Sequence, residues 1–236
     1  ESLGLMNLRT GKPSVVATGI DAAVQPGVGS EGLAWVDSKG SVHYRRLDGG
    51  KTANLAPKGR VDRVATDNGI VAIQRGDGTV SVWEPATGAV EDIDRVDAAG
   101  VSSQTLPNGG LAMWGSRIAV LARAQDTSSE VLIYDLSART KTTVKANAVG
   151  FLGLAMNDDL VVWSEVTGPL PGLINKLDGG TAQDTALTAY RISTDDAVRF
   201  ADTSGQQGFP ALSDRVGAWQ ETSSGGQDVY AITLKQ

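Results

Sequence analysis

The chain contains no cysteine, so disulfides and thiolate metal sites are both excluded. It has one histidine, His43, so a metal site or catalytic dyad built on imidazole has a single residue to use. Long apolar runs are also missing. The longest, such as Gly69–Ile73 and Leu160–Trp163, fall far short of the roughly 20 residues that span a bilayer, which argues against membrane insertion. No basic, apolar leader opens the chain at Glu1, as expected if any secretion signal has already been removed or was never there. Lys and Arg number 21 against 27 Asp and Glu, a net charge of −6, with no basic stripe to follow a phosphate backbone. Nucleic acid is therefore not an expected partner, because that binding rests on clustered Lys and Arg.

Glycine is in excess: 29 of 236 residues, roughly 12% against an average of about 7%. The glycines fall in short clusters between runs of Val, Ala, Leu and Thr, the pattern of many short strands joined by tight turns. Five ten-residue segments stack without a gap: Pro26–Trp35, Val64–Ile73, Ala112–Leu121, Leu154–Trp163 and Pro210–Trp219. Their fourth and fifth columns are all small turn formers: Gly29-Ser30, Asp67-Asn68, Gly115-Ser116, Asn157-Asp158 and Ser213-Asp214. The ninth column holds Ala34, Ala72, Val120, Val162 and Ala218; the tenth holds Trp35, Ile73, Leu121, Trp163 and Trp219. A third strand with one aromatic follows each segment, at Tyr44, Trp83, Tyr134, Tyr190 and Tyr230. A turn and a short fourth strand come next, as in Thr52–Leu55 and Thr142–Lys145.

The tenth-column residues lie 38, 48, 42 and 56 apart, around the 40–50-residue period of propeller blades. A four-stranded meander cannot bury both its faces alone, whereas stacking such sheets radially buries them. The expectation is an all-β, five-bladed β-propeller forming a single domain over residues 1–236, with equivalent, buried aromatics between the blades. The ends fit less neatly. Pro13–Ala17 could supply the outer strand missing from the last blade, which leaves Leu3–Leu8 surplus. A six-bladed ring or a propeller fragment is the alternative.

The last repeat, Phe209–Leu234, resembles that of TolB-like and related bacterial cell-surface propellers. The matching residues are Pro210, Ala211, Leu212, Ser213, Val216, Trp219, Asp228, Val229 and Tyr230, and Leu154–Trp163 is a second good match. The resemblance implies an exported protein, extracellular or periplasmic, with an interaction or scaffolding role. It names no ligand and no cofactor.

Local motifs favour structural readings. Gly27-Val28-Gly29-Ser30-Glu31-Gly32 spells a dinucleotide fingerprint, but a strand follows it where that motif needs a helix. Arg75-Gly76-Asp77 sits in a turn where Gly-Asp-Gly is ordinary hairpin chemistry. No Gly-x-Ser-x-Gly elbow surrounds Ser30, and His43 reads as a partly exposed filler with no visible acidic partner. A propeller glycoside hydrolase or lyase needs two or three carboxylates converging from the innermost strands. Those strands read Ala22–Val28, Val61–Thr66, Leu111–Trp114, Phe151–Met156 and Gly208–Leu212, and contain only Asp62, with Asp21 beside one end. No enzymatic activity is expected.

One departure from the repeat stands out. Trp163 and Tyr190 are 27 residues apart, where the other repeats have 9 to 13. The excess, Val166–Leu187, reads as a long loop with two prolines and four large aliphatic residues. It makes Leu170, Leu173, Ile174, Asn175 and Asp178 the candidate binding residues. A protein partner held on one rim is the expected function, with a glycan as a further possibility. A carbohydrate-active enzyme and a structural module of a larger surface protein are the alternatives.

Overall fold

The computed structural model describes residues 1–7, 9–96, 110–123, 129–146, 153–174, 181–201, 205–223 and 226–234. The chain forms two compact units, Glu1–Arg95 and Val96–Gln236. Every described strand is antiparallel to its partner and pairs with its neighbour in sequence.

In the first unit, β1 (Ser2–Asn7) and β2 (Lys12–Thr18) form a two-stranded hairpin. Two four-stranded meanders follow. The first is β3 (Gly27–Val28), β4 (Gly32–Val36), β5 (Val42–Arg46) and β6 (Ala53–Leu55); the second is β7 (Val61–Asp67), β8 (Ile70–Arg75), β9 (Thr79–Trp83) and β10 (Val90–Arg95). The second unit contains β11 (Leu111–Trp114), β12 (Arg117–Arg123), β13 (Ser129–Asp135) and β14 (Thr140–Ala146) in one sheet. Its next sheet is β15 (Leu154–Met156), β16 (Leu160–Ile174), β17 (Thr181–Arg191) and β18 (Asp196–Ala201). A three-stranded sheet of β19 (Gln206–Leu212), β20 (Val216–Ser223) and β21 (Gly226–Thr233) ends the described chain.

The first two strands of each meander are joined by the small-residue turns of the repeat. Asn68 and Gly69 both have positive φ, 48° and 72°, the mirror-image turn that matches strand twist. Gly27, Gly29 and Gly32 are glycines because neighbouring atoms leave no room for a side chain. A Cβ on Gly29 would lie 2.2 Å from the Thr66 carbonyl oxygen, and one on Gly27 would lie 2.9 Å from Ala65 Cα. A Cβ on Gly32 would meet the Tyr44 ring at 2.2 Å. The apparent dinucleotide motif is thus a packing seam, where β3 runs against β7 and β4 passes beneath a tyrosine.

Sheets pack face to face. In the first unit Ala34, Val36, Val42 and Tyr44 meet Val71, Ile73 and Trp83 of the following sheet. In the second, Ala119, Leu121, Val131 and Ile133 meet Leu154, Met156, Val161, Trp163 and Tyr190. Val162, Leu187 and Ala189 then meet Leu212 and Trp219. Ile73, Trp163 and Trp219 accordingly face the preceding sheet, whereas Leu121 faces the following one. The gap-free stacking is out by one residue in its third segment: Val120, on the opposite face of β12 from Leu121, is the counterpart of Trp163. A shift of one residue turns every side chain to the other face, so identity of residue type alone could not reveal it.

The third-strand aromatics are only partly equivalent. Trp83 pairs with Val71, Tyr134 with Ile118 and Tyr190 with Val161, the same register in three sheets. Tyr44 pairs with Ala34 and so lies on the other face, and the equivalent position, opposite Leu33, holds Arg45; Tyr230 pairs with Trp219. Burial differs as well. Trp35 and Trp163 are buried, but Trp219 is half-buried and Tyr230 is 42% exposed. No described element covers the outer side of the last sheet, and β21 is exposed along its whole length. Leu3–Leu8, expected as surplus, overlaps β1, which is the partner of β2; the remaining residue, Leu8, lies outside the described residues.

These contrasts set two stability expectations, both read by chemical denaturation. Trp163→Ala should cost about 3–5 kcal/mol, as for a filled core position, and Trp219→Ala only about 1–2 kcal/mol. Gly29→Ala should cost about 1–3 kcal/mol through overpacking against Thr66. A neutral Gly29→Ala would show that the seam relaxes freely.

Candidate functional site

The excess between Trp163 and Tyr190 is a β-hairpin rather than a loop. Its two strands stay in register from Leu160↔Arg191 to Val166↔Thr185, then continue through Gly168↔Asp184 and Pro169↔Gln183 to Ile174↔Thr181. The sequence shows no alternating partner here because two irregularities, at Val166/Gly168 and Pro169/Ile174, break the period. Pro169 sits between them, where a missing N–H disturbs the ladder least. Past Val166 and Thr185 the strands pair only with each other, because β15 pairs with Val161–Trp163 and β18 with residues Leu187–Arg191. The hairpin thus runs past its sheet over residues 167–174 of β16 and 181–184 of β17, roughly 13 Å along the shorter strand. Leu170, Leu173 and Ile174 belong to this projection; Asn175 and Asp178 lie outside the described residues.

The base of the hairpin is fixed. Asp184 Oδ1 accepts the Gly205 N–H at 2.7 Å, and Thr185 N–H donates to the Gly205 carbonyl at 3.0 Å. The Thr185 hydroxyl donates to the Gln207 carbonyl at 3.0 Å and accepts the Gln207 N–H at 2.8 Å. Thr185, Ala186 and Leu187 are buried. Four hydrogen bonds therefore clamp the root of β17 to β19 and the residue before it. Asp184 and Thr185 carry this anchor, and sequence reasoning missed both, since nothing local marks a polar residue that bonds 20 positions away.

The two carboxylates expected at the inner strands, Asp62 and Asp21, are each held by local contacts. Asp62 sits in a bulge of β7 and is paired with Arg60 Nε at 2.7 Å. Asp21 Oδ1 accepts the Ala23 N–H at 2.9 Å, a local turn contact. Arg63, next to Asp62, donates from Nη1 to Gln74 Oε1 at 2.8 Å. Among the described residues no group of three His, Cys, Asp or Glu could hold a metal ion.

The single histidine has an acidic partner after all. His43 Nε2 lies 2.8 Å from Asp37 Oδ2, and the imidazole stacks on Trp35 with ring centroids 5.3 Å apart. Burial pushes the Asp37 carboxyl up, but His43 and the N–H groups of Ser41 and Lys39 more than offset it and hold it below the usual carboxylate range. Asp37 also closes the β4–β5 turn, so the cluster is structural. In the Arg-Gly-Asp turn, Arg75 is held by Ser81 at 2.7 Å and by Asp92, while Asp77 accepts the Thr79 N–H at 3.0 Å. Both charged groups are engaged within their own sheet.

Two hollows occur in the second unit. An apolar one of about 180 Å³ lies between the β15–β18 and β19–β21 sheets, lined by Leu187, Phe200, Leu212, Trp219 and Ile232. A polar one of about 550 Å³ is bordered by Trp114, Asp158, Asp159, Arg191 and Asp214. Asp159 is committed there, to Arg191 at 2.7 Å and the Ser193 N–H at 2.9 Å.

Neither a family model nor a curated protein matches the sequence. Solved structures do. The oligogalacturonate lyase in complex with manganese has a TM-score of 0.63 at 12% identity, over 100% of this chain and 72% of that one. The putative TolB from Agrobacterium tumefaciens has a TM-score of 0.62 at 12% identity, over 99% of this chain and 84% of that one. The fold is a β-propeller. Its sheets are therefore blades, and β3, β7, β11, β15 and β19 are the innermost strands. The tricorn protease matches at a TM-score of 0.55 and 15% identity, over 94% of this chain but only 22% of that chain. At such identities the likeness carries the fold alone.

The Asp37 cluster supplies a pH test. A folded pKa below the unfolded one adds stability above the ordinary aspartate pKa of about 3.9, and loses it as pH falls through the lower folded value. Asp37→Asn should cost about 1 kcal/mol at pH 7 and flatten the acid side of the stability–pH curve. Denaturation midpoints between pH 2.5 and 7 check both; an unchanged acid limb would remove Asp37 from the argument.

Proposed function

We propose that the chain is a non-catalytic binding propeller that presents the β16–β17 hairpin to a protein partner. The observation that carries this reading is the projection itself: past Val166 and Asp184 the ladder, among the described residues, runs between β16 and β17 alone, because β15 and β18 pair only with the lower parts of these strands. A segment of this kind, with a clamped root and prolines that limit its freedom, loses little entropy when it docks. An extended pair of strands also offers backbone edges and alternate side chains to a partner, as recognition by strand addition requires. The repeat resemblance to TolB-like propellers supports an exported, extracellular or periplasmic protein. Five four-stranded blades are the arrangement the repeat count supports, and a glycan is the second class of ligand the rim could take.

A carbohydrate-active enzyme is the competing reading, motivated by the likeness to an oligogalacturonate lyase. Against it stand Asp62 paired with Arg60, Asp21 held in a turn and Asp67 bonded by Ser30, so these carboxylates of the first unit are engaged in structural contacts. Turnover of a polysaccharide library that is lost on Asp62→Asn would establish the enzyme instead.

The binding test is a shortened hairpin. Replacing residues 167–183 with Asn-Gly keeps Asp184 and Thr185, and with them the four hydrogen bonds to β19 and the residue before it. Its melting temperature should stay within about 3 °C of the parent, because β15 and β18 pair with none of the excised residues. Capture of protein from a secretome, seen with the parent, should disappear. Retention of the same captured protein would move the binding surface elsewhere.

A further inference from the structure

At one register position the last blade departs from the other four. The second strands hold Leu33, Val71, Ile118 and Val161 there, all of them buried aliphatics. The counterpart on β20 is Gly217, two residues before Trp219 as Val161 is two before Trp163. The side chain across the strand pair shrinks as well. Trp83, Tyr134 and Tyr190 oppose Val71, Ile118 and Val161, whereas Ile232 opposes Gly217. A pair of large side chains in those three blades is thus a single isoleucine here.

Neither backbone conformation nor crowding demands a glycine at this point. Gly217 lies outside the left-handed region. A Cβ on it would stand 3.3 Å from Leu212 Cδ2 and 3.5 Å from Ile232 Cγ2, the ends of two flexible side chains. What the glycine supplies is space. It borders the apolar hollow of about 180 Å³ in the second unit, together with Leu187, Leu212, Trp219 and Ile232. Glycine inside a strand often marks a place where a ligand comes close.

The hollow is open to the surface and apolar within. Val198, Phe200 and Ile232 on its border are exposed, whereas Val162 and Leu187 on its wall are buried. Among the described residues Arg191 is the one charged group lining it, and that guanidinium is paired with Asp159 at 2.7 Å. The Trp219 indole N–H is buried and offers the hollow no donor. A charged occupant would lose water there without a counter-charge in return.

We propose that the space left at Gly217 is a binding site for a small, uncharged, apolar molecule about the size of one aromatic ring. An apolar cavity of roughly 150 Å³ lined by aliphatic and aromatic side chains stays dry and takes up benzene. The present hollow matches that size, and its exposed border lets a ligand enter without unfolding the blade. The site is distinct from the β16–β17 hairpin, because no residue between 167 and 183 lines it.

The test titrates the ¹³C-methyl-labelled chain with toluene and follows the assigned methyls of Leu187 and Ile232. Benzoate, the same ring with a charge, is the control. Both methyls should shift saturably with toluene, and benzoate should bind at least tenfold more weakly. A response at buried Leu187 separates entry from adhesion to the exposed border. Gly217→Val refills the space, so it should weaken toluene binding at least tenfold while the melting temperature holds or rises. If that variant fails to fold, the two probes on the parent protein decide alone. No saturable shift at Leu187, an equal response to benzoate, or undiminished binding by Gly217→Val would each overturn the proposal. So would a capped Gly-Phe-Gly peptide that binds at least tenfold more tightly than toluene, since the occupant would then be a partner's side chain. The chain with the shortened hairpin keeps every lining residue and should bind toluene unchanged, so failure here and failure of the hairpin reading are separable.

Discussion

A short antiparallel sheet has two apolar faces and no means of burying both, and everything else in this chain follows from that constraint. Within each unit, consecutive sheets solve it by packing face to face. Where β3 approaches β7 most closely only glycine fits: Gly27 and Gly29 lie against Ala65 and Thr66 with no room for a Cβ. Elsewhere on these faces large side chains fill the space between sheets, Trp83 in the first unit and Trp163 and Tyr190 in the second.

Packing of this kind has no direction along the strands, so something must fix how blades align. Polar contacts between the first turns of adjacent blades do this within each unit. Ser30 donates to Asp67 Oδ1 from both its hydroxyl, at 2.6 Å, and its N–H, at 2.8 Å. In the second unit Asn157 Nδ2 donates to the Ser213 carbonyl at 3.0 Å, while its Oδ1 closes its own turn through Asp159 and Leu160. These are the same columns that read as simple turn formers in the repeat. A side chain that both closes a tight turn and bonds the next blade has two reasons to be Asp, Asn or Ser.

This double duty explains what was legible in the sequence. Strand positions followed from alternation and from the turn residues: the expected Val61–Thr66 is β7 to within one residue, and Leu111–Trp114 is β11 as read. Face was harder, because Val120 and Leu121 are both buried aliphatics and nothing local distinguishes the backward-facing one. Tyr44 was misplaced for a related reason. It is one residue away from the position equivalent to Trp83 and Tyr190, which Arg45 holds opposite Leu33, and a one-residue offset turns the ring to the other face. Long-range polar pairs such as Asp184–Gly205 and Arg63–Gln74 left no trace, since a hydrogen bond imposes no period on the chain.

The long hairpin shows the same limit from the other side. Its sequence looks irregular because bulges interrupt the alternation, and irregularity reads as a loop. Yet a true loop of that length would have to satisfy its backbone groups with water or side chains, whereas two strands satisfy one another. Pairing is therefore the cheaper way for a blade to extend a segment away from itself, and the bulges twist its edges so that they resist indiscriminate strand pairing. What must remain constant is the root. Thr185 replaces the next backbone partner with one hydroxyl that both donates and accepts, and the hairpin departs only after that bond is made. Past this point neither β15 nor β18 pairs with the hairpin, and that independence lets a repetitive fold carry a surface of its own.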